Sequence, residues 1–241
     1  MIAGMDFVSL PVSDMQRAKA FYQETLGLTP GTVANGPWFE FDLGDGPALS
    51  LIDPAAMGLP MVPSAAGTVA IAFRDFKGMV ETLKAQNLLQ QEPFESPVCH
   101  GAFVRDPDGN SLSLHQRKSE SERDRVLDFV AVPVQDMKRA RAFYEGMLGL
   151  KPDSVSGEAW TEYVLPDDTA LALGDVRVMG LEFQPIQSGG VALRTPDLEA
   201  VFARLKQAGH AVAADVIETP VCHMAMVKDS EGNAFLLHRH K

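Results

Sequence analysis

The chain has 241 residues, 46% apolar and 22% charged, with a net charge of −11 at neutral pH. That is core enough for one large domain or two ordinary ones, and the acidic balance excludes nucleic acid, whose phosphates need clustered Lys and Arg. No apolar run approaches the ~18 residues of a membrane span, and the start lacks the basic n-region of an export signal, so a cytoplasmic protein is expected.

Alternation predicts a strand over 5–12. Ser13 and Asp14 then cap a helix that carries Met15, Ala18, Tyr22 and Leu26 at helical spacing and ends at Gly27. Strands are expected at 38–43 and 48–52, turning on Gly44-Asp45-Gly46, and at 68–73 after a loop holding Pro54, Pro60 and Pro63. A second helix starts near Asp75 and buries Phe76, Met79, Val80 and Leu83. A hairpin closes the half, its turn being Asp106-Pro-Asp-Gly-Asn110.

The whole order then repeats. Phe7 and Val8 return as Phe129 and Val130, Ala20-Phe-Tyr22 as Ala142-Phe-Tyr144, and Trp38 and Glu40 as Trp160 and Glu162. The closing hairpin returns as 220–238, so Cys99 and His115 become Cys222 and His238. Two cysteines at equivalent places are a repeated packing or chemical position, not a disulfide framework. Residues 1–118 and 126–241 are therefore expected as two similar domains joined by the charged linker 119–125.

Facing can be counted from the hairpin turn. Side chains alternate, which puts Cys99, Phe103, Ser113 and His115 on one face, and Cys222, Met224, Met226 and His238 on the equivalent one. His100 and His223 then point the other way. Trp38 with Glu40, and Trp160 with Glu162, offer an indole wall beside a carboxylate, suited to a ligand with an apolar body and a polar group. Whether those pairs face inward or sit at a sheet edge depends on turn length. The apolar loop Met57-Gly-Leu59 repeats as Met179-Gly-Leu181 and must cover a cavity or a partner domain.

Pro11-Val-Ser-Asp14, Ala20-Phe-Tyr22, Leu26-Gly-Leu28 and Asp106-Pro-Asp-Gly-Asn110, each with a counterpart in the second half, resemble the vicinal oxygen chelate superfamily. That superfamily includes glyoxalase I, the bleomycin-resistance proteins and the extradiol dioxygenases. The resemblance implies an α+β fold of tandem glyoxalase-like domains. Each is built from two of four βαβββ-type modules, with curved sheets enclosing open cups and helices outside. It also implies where a divalent cation would be held. Those positions fall on Phe7, Ser50, Thr68 and Ser113, and on Phe129, Ala172, Gly190 and Leu236, none a strong ligand.

The reading from sequence is a protein with no metal and no cofactor that binds or sequesters a small, largely apolar molecule in one or both cups. Its expected lining is Phe7, Trp38, Glu40, Cys99, Phe103, Ser113 and His115, with Phe129, Trp160, Glu162, Cys222, Met224, Met226 and His238. The chain would be a monomer acting as a pseudo-dimer of its halves, or a homodimer. Two alternatives stand beside it. One is an enzyme of lyase or isomerase type, either with a displaced metal at Cys99, His115 and Glu40 or with metal-free acid–base catalysis by Glu40, Glu162, His115 or His238. The other is a scaffold whose cups are filled by their own side chains.

Overall fold

The computed structural model describes residues 1–153, 156–213 and 215–241. The first module runs β1 (Gly4–Pro11), α1 (Met15–Ala20) continued by a π-helical turn Phe21–Thr25, then β2 (Thr29–Asn35), β3 (Trp38–Asp42) and β4 (Ala48–Ile52). The second is β5 (Thr68–Ala72), α2 (Phe76–Ala85), β6 (Phe94–Glu95), β7 (Cys99–Arg105) and β8 (Ser111–Arg117). The third is β9 (Val126–Val134), α3 (Met137–Gly146), β10 (Trp160–Val164) and β11 (Ala170–Asp175). The fourth is β12 (Gly190–Arg194), α4 (Leu198–Gln207), β13 (Ile217–Glu218), β14 (Cys222–Lys228) and β15 (Ala234–His240). The helix starts follow the capping expectation, with Asp14 and Asp75 accepting backbone N–H bonds at α1 and α2.

The modules pair across the sequence repeat. One sheet has the order β13-β14-β15-β12-β1-β4-β3-β2 and joins the first module to the fourth. The other, β10-β11-β9-β5-β8-β7-β6, joins the third to the second. Their seams are antiparallel: β1 lies against β12, and β5 against β9. Helices α1 and α4 pack on the outer face of the first sheet, α2 and α3 on that of the second. Each sheet is a curved half-barrel with a cup on its inner face.

The signature residues of the repeat fasten the modules of one half together. Asp106 Oδ1 accepts the Asp108 and Asn110 N–H groups, and Asn110 Nδ2 donates to Asp106 Oδ2 and to the Pro11 carbonyl at 2.8 Å. Tyr22 O–H, fully buried, donates to Asp106 Oδ2 at 2.9 Å. Thus α1 of one sheet is latched to the β7–β8 turn of the other. Tyr144, Asp229, Asn233 and the Pro133 carbonyl repeat the latch. Gly109 and Gly232 take φ of +94° and +90° at these turns, a region that side chains rarely enter. Two latches and two sheet seams close the four modules into a ring.

Candidate active site: two crossed cups

The seam strands carry the chemistry because each contains a β-bulge. In β1, Met5 pairs with Leu193 and Phe7 with Ala192, which leaves Asp6 as the extra residue. In β9, Asp128 is likewise inserted between Leu127 and Phe129. A bulge re-aims a side chain that strict alternation would send to the other face. Here it brings an acid onto the cup face beside a phenylalanine, between core residues Met5 and Val8 in one strand and Leu127 and Val130 in the other.

In the first cup Asp6 Oδ2 meets His238 Nδ1 at 2.5 Å, and its Oδ1 accepts Arg194 Nη1 at 2.9 Å. His240 Nε2 lies 3.5 Å from Asp6 Oδ1. Burial would raise the Asp6 carboxyl, but the His238 hydrogen bond and the nearby positive charges prevail and lower it. The ligand atoms of Asp6, His238 and His240 all lie within 4.8 Å of one another, as a divalent cation requires. Beside them stands an aromatic wall: Phe7 contacts His238 at 5.4 Å and Trp38 at 5.1 Å, both edge-on. The Trp38 indole N–H donates to Glu40 Oε1 at 2.7 Å.

The second cup repeats this with one decisive exchange. His115 Nδ1 hydrogen-bonds Asp128 Oδ2, Phe129 contacts His115 and Trp160, and the Trp160 indole reaches Glu162 at 3.5 Å. Where the first cup has His240, the second has Arg117, two residues beyond its histidine on the same strand. Arg117 Nε donates to Asp128 Oδ1 at 2.8 Å, joined by Arg123 Nη1 at 2.6 Å. Burial pushes the Asp128 carboxyl up, yet the His115 bond and the Arg117 charge outweigh it and hold it at about 2.

The expected lining residues are thus redistributed. Phe7, Trp38 and Glu40 share a cup with Cys222, Met224, Met226 and His238, through the β14–β15 pairs Met224–His238 and Met226–Leu236. Phe129, Trp160 and Glu162 share the other with Cys99, Phe103, Ser113 and His115. A displaced metal at Cys99, His115 and Glu40 is therefore not assembled, since Glu40 lies in the other sheet. Ser50 shares a sheet with Leu236 and Ser113 with Ala172, so each cup combines one hydroxyl with one apolar residue at these positions. Cys99 and Cys222 sit at the cup rims with Sγ 3.1 Å from Ser96 and Thr219 hydroxyls, and Phe103 is covered by Phe94 at 5.6 Å. His100 faces Phe76 of α2, outside the cup.

Sequence reasoning missed Asp6, Asp128, His240 and Arg117. A signal was present for the acids: each opens an Asp-Phe-Val run in an otherwise apolar strand, once per repeat. Which face they took was hidden, because a bulge leaves no mark on the alternation pattern.

Comparison with known proteins agrees with this architecture. The profile of the Glyoxalase/Bleomycin resistance protein/Dioxygenase superfamily matches residues 4–114 and 126–237. The chain belongs to that superfamily. It is 31% identical over 153 residues to lactoylglutathione lyase GLX1 of Arabidopsis thaliana, an alignment covering 58% of this chain and 52% of that protein. The chain thus spans about half the length of this curated relative. Among solved structures it resembles glyoxalase I from Zea mays, with 22% identity and a TM-score of 0.61 over 98% of this chain and 92% of that one. It also resembles a putative dioxygenase from Bacillus subtilis, with 14% identity and a TM-score of 0.67 over 98% and 85%.

These findings correct the reading from sequence in one respect. The superfamily's usual metal positions do fall on weak ligands, and Ser50 Oγ, one of them, is buried without a partner among the described residues. The inference that this chain is metal-free does not stand, because Asp6, His238 and His240 form a ligand set one bulge away and the curated relative is a lyase. Strict alternation would point Asp6 away from the cup that Phe7 faces, and the bulge turns it inward.

Proposed function

We propose that this protein is a glyoxalase-type lyase or isomerase whose divalent cation is held by Asp6, His238 and His240, displaced from the superfamily's usual position. The observation that carries this reading is the convergence of those three ligand atoms beside the Phe7–Trp38 wall and the Glu40 carboxylate. Three protein ligands with an open position are the pattern of catalytic sites. A cation there supplies Lewis-acid polarisation of a substrate carbonyl. Arg194 already neutralises much of the Asp6 charge, so the cation is expected to exchange with solvent.

The chain's own residues do the rest. Trp38 fixes Glu40 Oε1 and leaves Oε2 as the base that removes a proton from carbon beside the carbonyl and returns it to the neighbouring carbon. Phe7 and Trp38 exclude water around the apolar part of the substrate. Likeness to lactoylglutathione lyase suggests a hemithioacetal of glutathione as substrate. A monomer has both cups complete, since each seam lies within one chain. Among the described residues no helix is long and apolar enough to cross a membrane, and two free cysteines suit a reducing, cytoplasmic setting.

The test is thioester formation from methylglyoxal and glutathione by protein loaded in turn with Zn, Ni, Co and Mn. Turnover that falls at least ~100-fold in Glu40→Gln and His238→Gln is expected. No turnover with any of the four metals would refute the reading.

A further inference from the structure

The second cup is built as carefully as the first, and the metal-based reading leaves it without a task. Its dyad is buried: the Asp128 side chain is fully inaccessible and His115 nearly so. Asp128 remains ionised at neutral pH and receives the His115 Nδ1–H, which fixes the tautomer and leaves Nε2 as a proton acceptor. Asp128 Oδ1 receives Arg117 Nε, so His115 and Arg117 are held through one carboxylate, on the same face of β8. Arg117 Nη2 lies 3.8 Å from Glu162 Oε1, so the guanidinium bridges the two acids of the cup. The first cup places His240, the third ligand, at this sequence position. A guanidinium cannot bind a metal, but it is a permanent positive charge with directed donors. Thr68 Oγ1, on the same inner face opposite Ala131, is buried with no partner among the described residues. It is a spare hydroxyl for a ligand oxygen.

We infer that the second cup is a metal-independent proton-transfer site for small α-hydroxycarbonyl compounds, with the Arg117 guanidinium in the role a cation plays in the first. His115 Nε2 takes the proton from the carbon beside the carbonyl. The C–H electron pair moves into the new C=C bond as the carbonyl π pair moves to oxygen, and the resulting enolate oxygen is met by Arg117 N–H. The imidazolium returns a proton to carbon, so neither oxidant nor reductant is consumed. Phe129 and Trp160 wall the apolar side. This site does not depend on the first cup's metal, and the experiment separates the two.

Hydroxyacetone is incubated in D2O with EDTA-treated protein carrying Asp6→Asn and His238→Gln, and deuterium entry at carbon is followed by NMR. The expected result is exchange above the buffer rate that falls at least ~100-fold when His115→Gln is added. Arg117→Gln should fall less, and Arg117→Lys should recover part of the rate because it restores the charge. Chemical-shift changes of the Trp160 indole on hydroxyacetone addition should appear in the EDTA-treated parent and persist in His115→Gln, which shows that the variant still folds and binds. Exchange at the buffer rate in the EDTA-treated parent would overturn the proposal. So would exchange left unchanged by His115→Gln.

Discussion

Asp128 shows how a single bulged residue sets the electrostatics of a cup. Its carboxyl sits at about 2 when folded, against ~3.9 in an unfolded chain. A lowered carboxylate contributes stability that is present above the unfolded value and lost as pH falls through the folded one. The loss should amount to about 2 kcal/mol between pH ~4 and ~2. Asp106 and Asp229 act in the opposite direction, because burial raises both carboxyls despite their hydrogen bonds. The informative quantity is therefore the difference between the parent and Asp128→Asn in urea unfolding across that range. The acid-dependent loss should shrink in the variant, and parallel curves would contradict the assignment. At the latch, Tyr22→Phe leaves a buried carboxylate without one of its donors and should cost about 1–3 kcal/mol in denaturant unfolding. Loss of less than a few tenths would show that the Tyr22–Asp106 bond carries no stability.

At the level of elements, periodicity revealed most strands and all four helices, because the core-facing residues alternate or recur at helical spacing without interruption. It did not reveal β2, whose Thr-Pro-Gly-Thr run has weak strand character and pairs irregularly with β3 at the sheet edge. Nor could it reveal the bulges at Asp6 and Asp128, where one extra residue keeps Met5 and Val8 both in the core. How the candidate residues group into two sheets is not legible in the sequence either. Strand partners depend on which edges meet, and a repeat leaves that choice open. The first sheet's seam depends on backbone contact at the start of β12. A Cβ on Gly189 would lie 2.4 Å from the Ser9 carbonyl oxygen, and one on Gly190 2.4 Å from that of Ala234, both at positive φ. Gly189→Ala should therefore destabilise the fold by more than about 2 kcal/mol. The same change at Gly180, which has no neighbour within 4 Å, should cost only the ~1 kcal/mol of its positive φ. Equal thermal shifts for the two variants would argue against close packing at the seam.

For the whole molecule, the ring of four modules makes the halves interdependent although each has a complete set of repeat motifs. Residues 1–118 alone would expose the β1 edge that β12 covers and the β5 edge that β9 covers. That fragment should not fold as a monomer. Size-exclusion chromatography with circular dichroism should find it either unfolded or paired with a second copy that supplies the missing seams. A monomer with a cooperative melt would contradict the crossed architecture.

The same crossing creates the cup on which the proposed chemistry depends, since Asp6 and Trp38 come from the first module and His238 and His240 from the fourth. The most direct test is cation stoichiometry of the protein loaded with cobalt and followed by absorption and equilibrium dialysis, in the parent, in His240→Gln and in His115→Gln. One equivalent per chain is predicted in the parent and in His115→Gln, with binding weakened at least ~10-fold in His240→Gln, since each lost ligand removes a substantial share of affinity. No cobalt bound by the parent, or equal binding in His240→Gln, would contradict it.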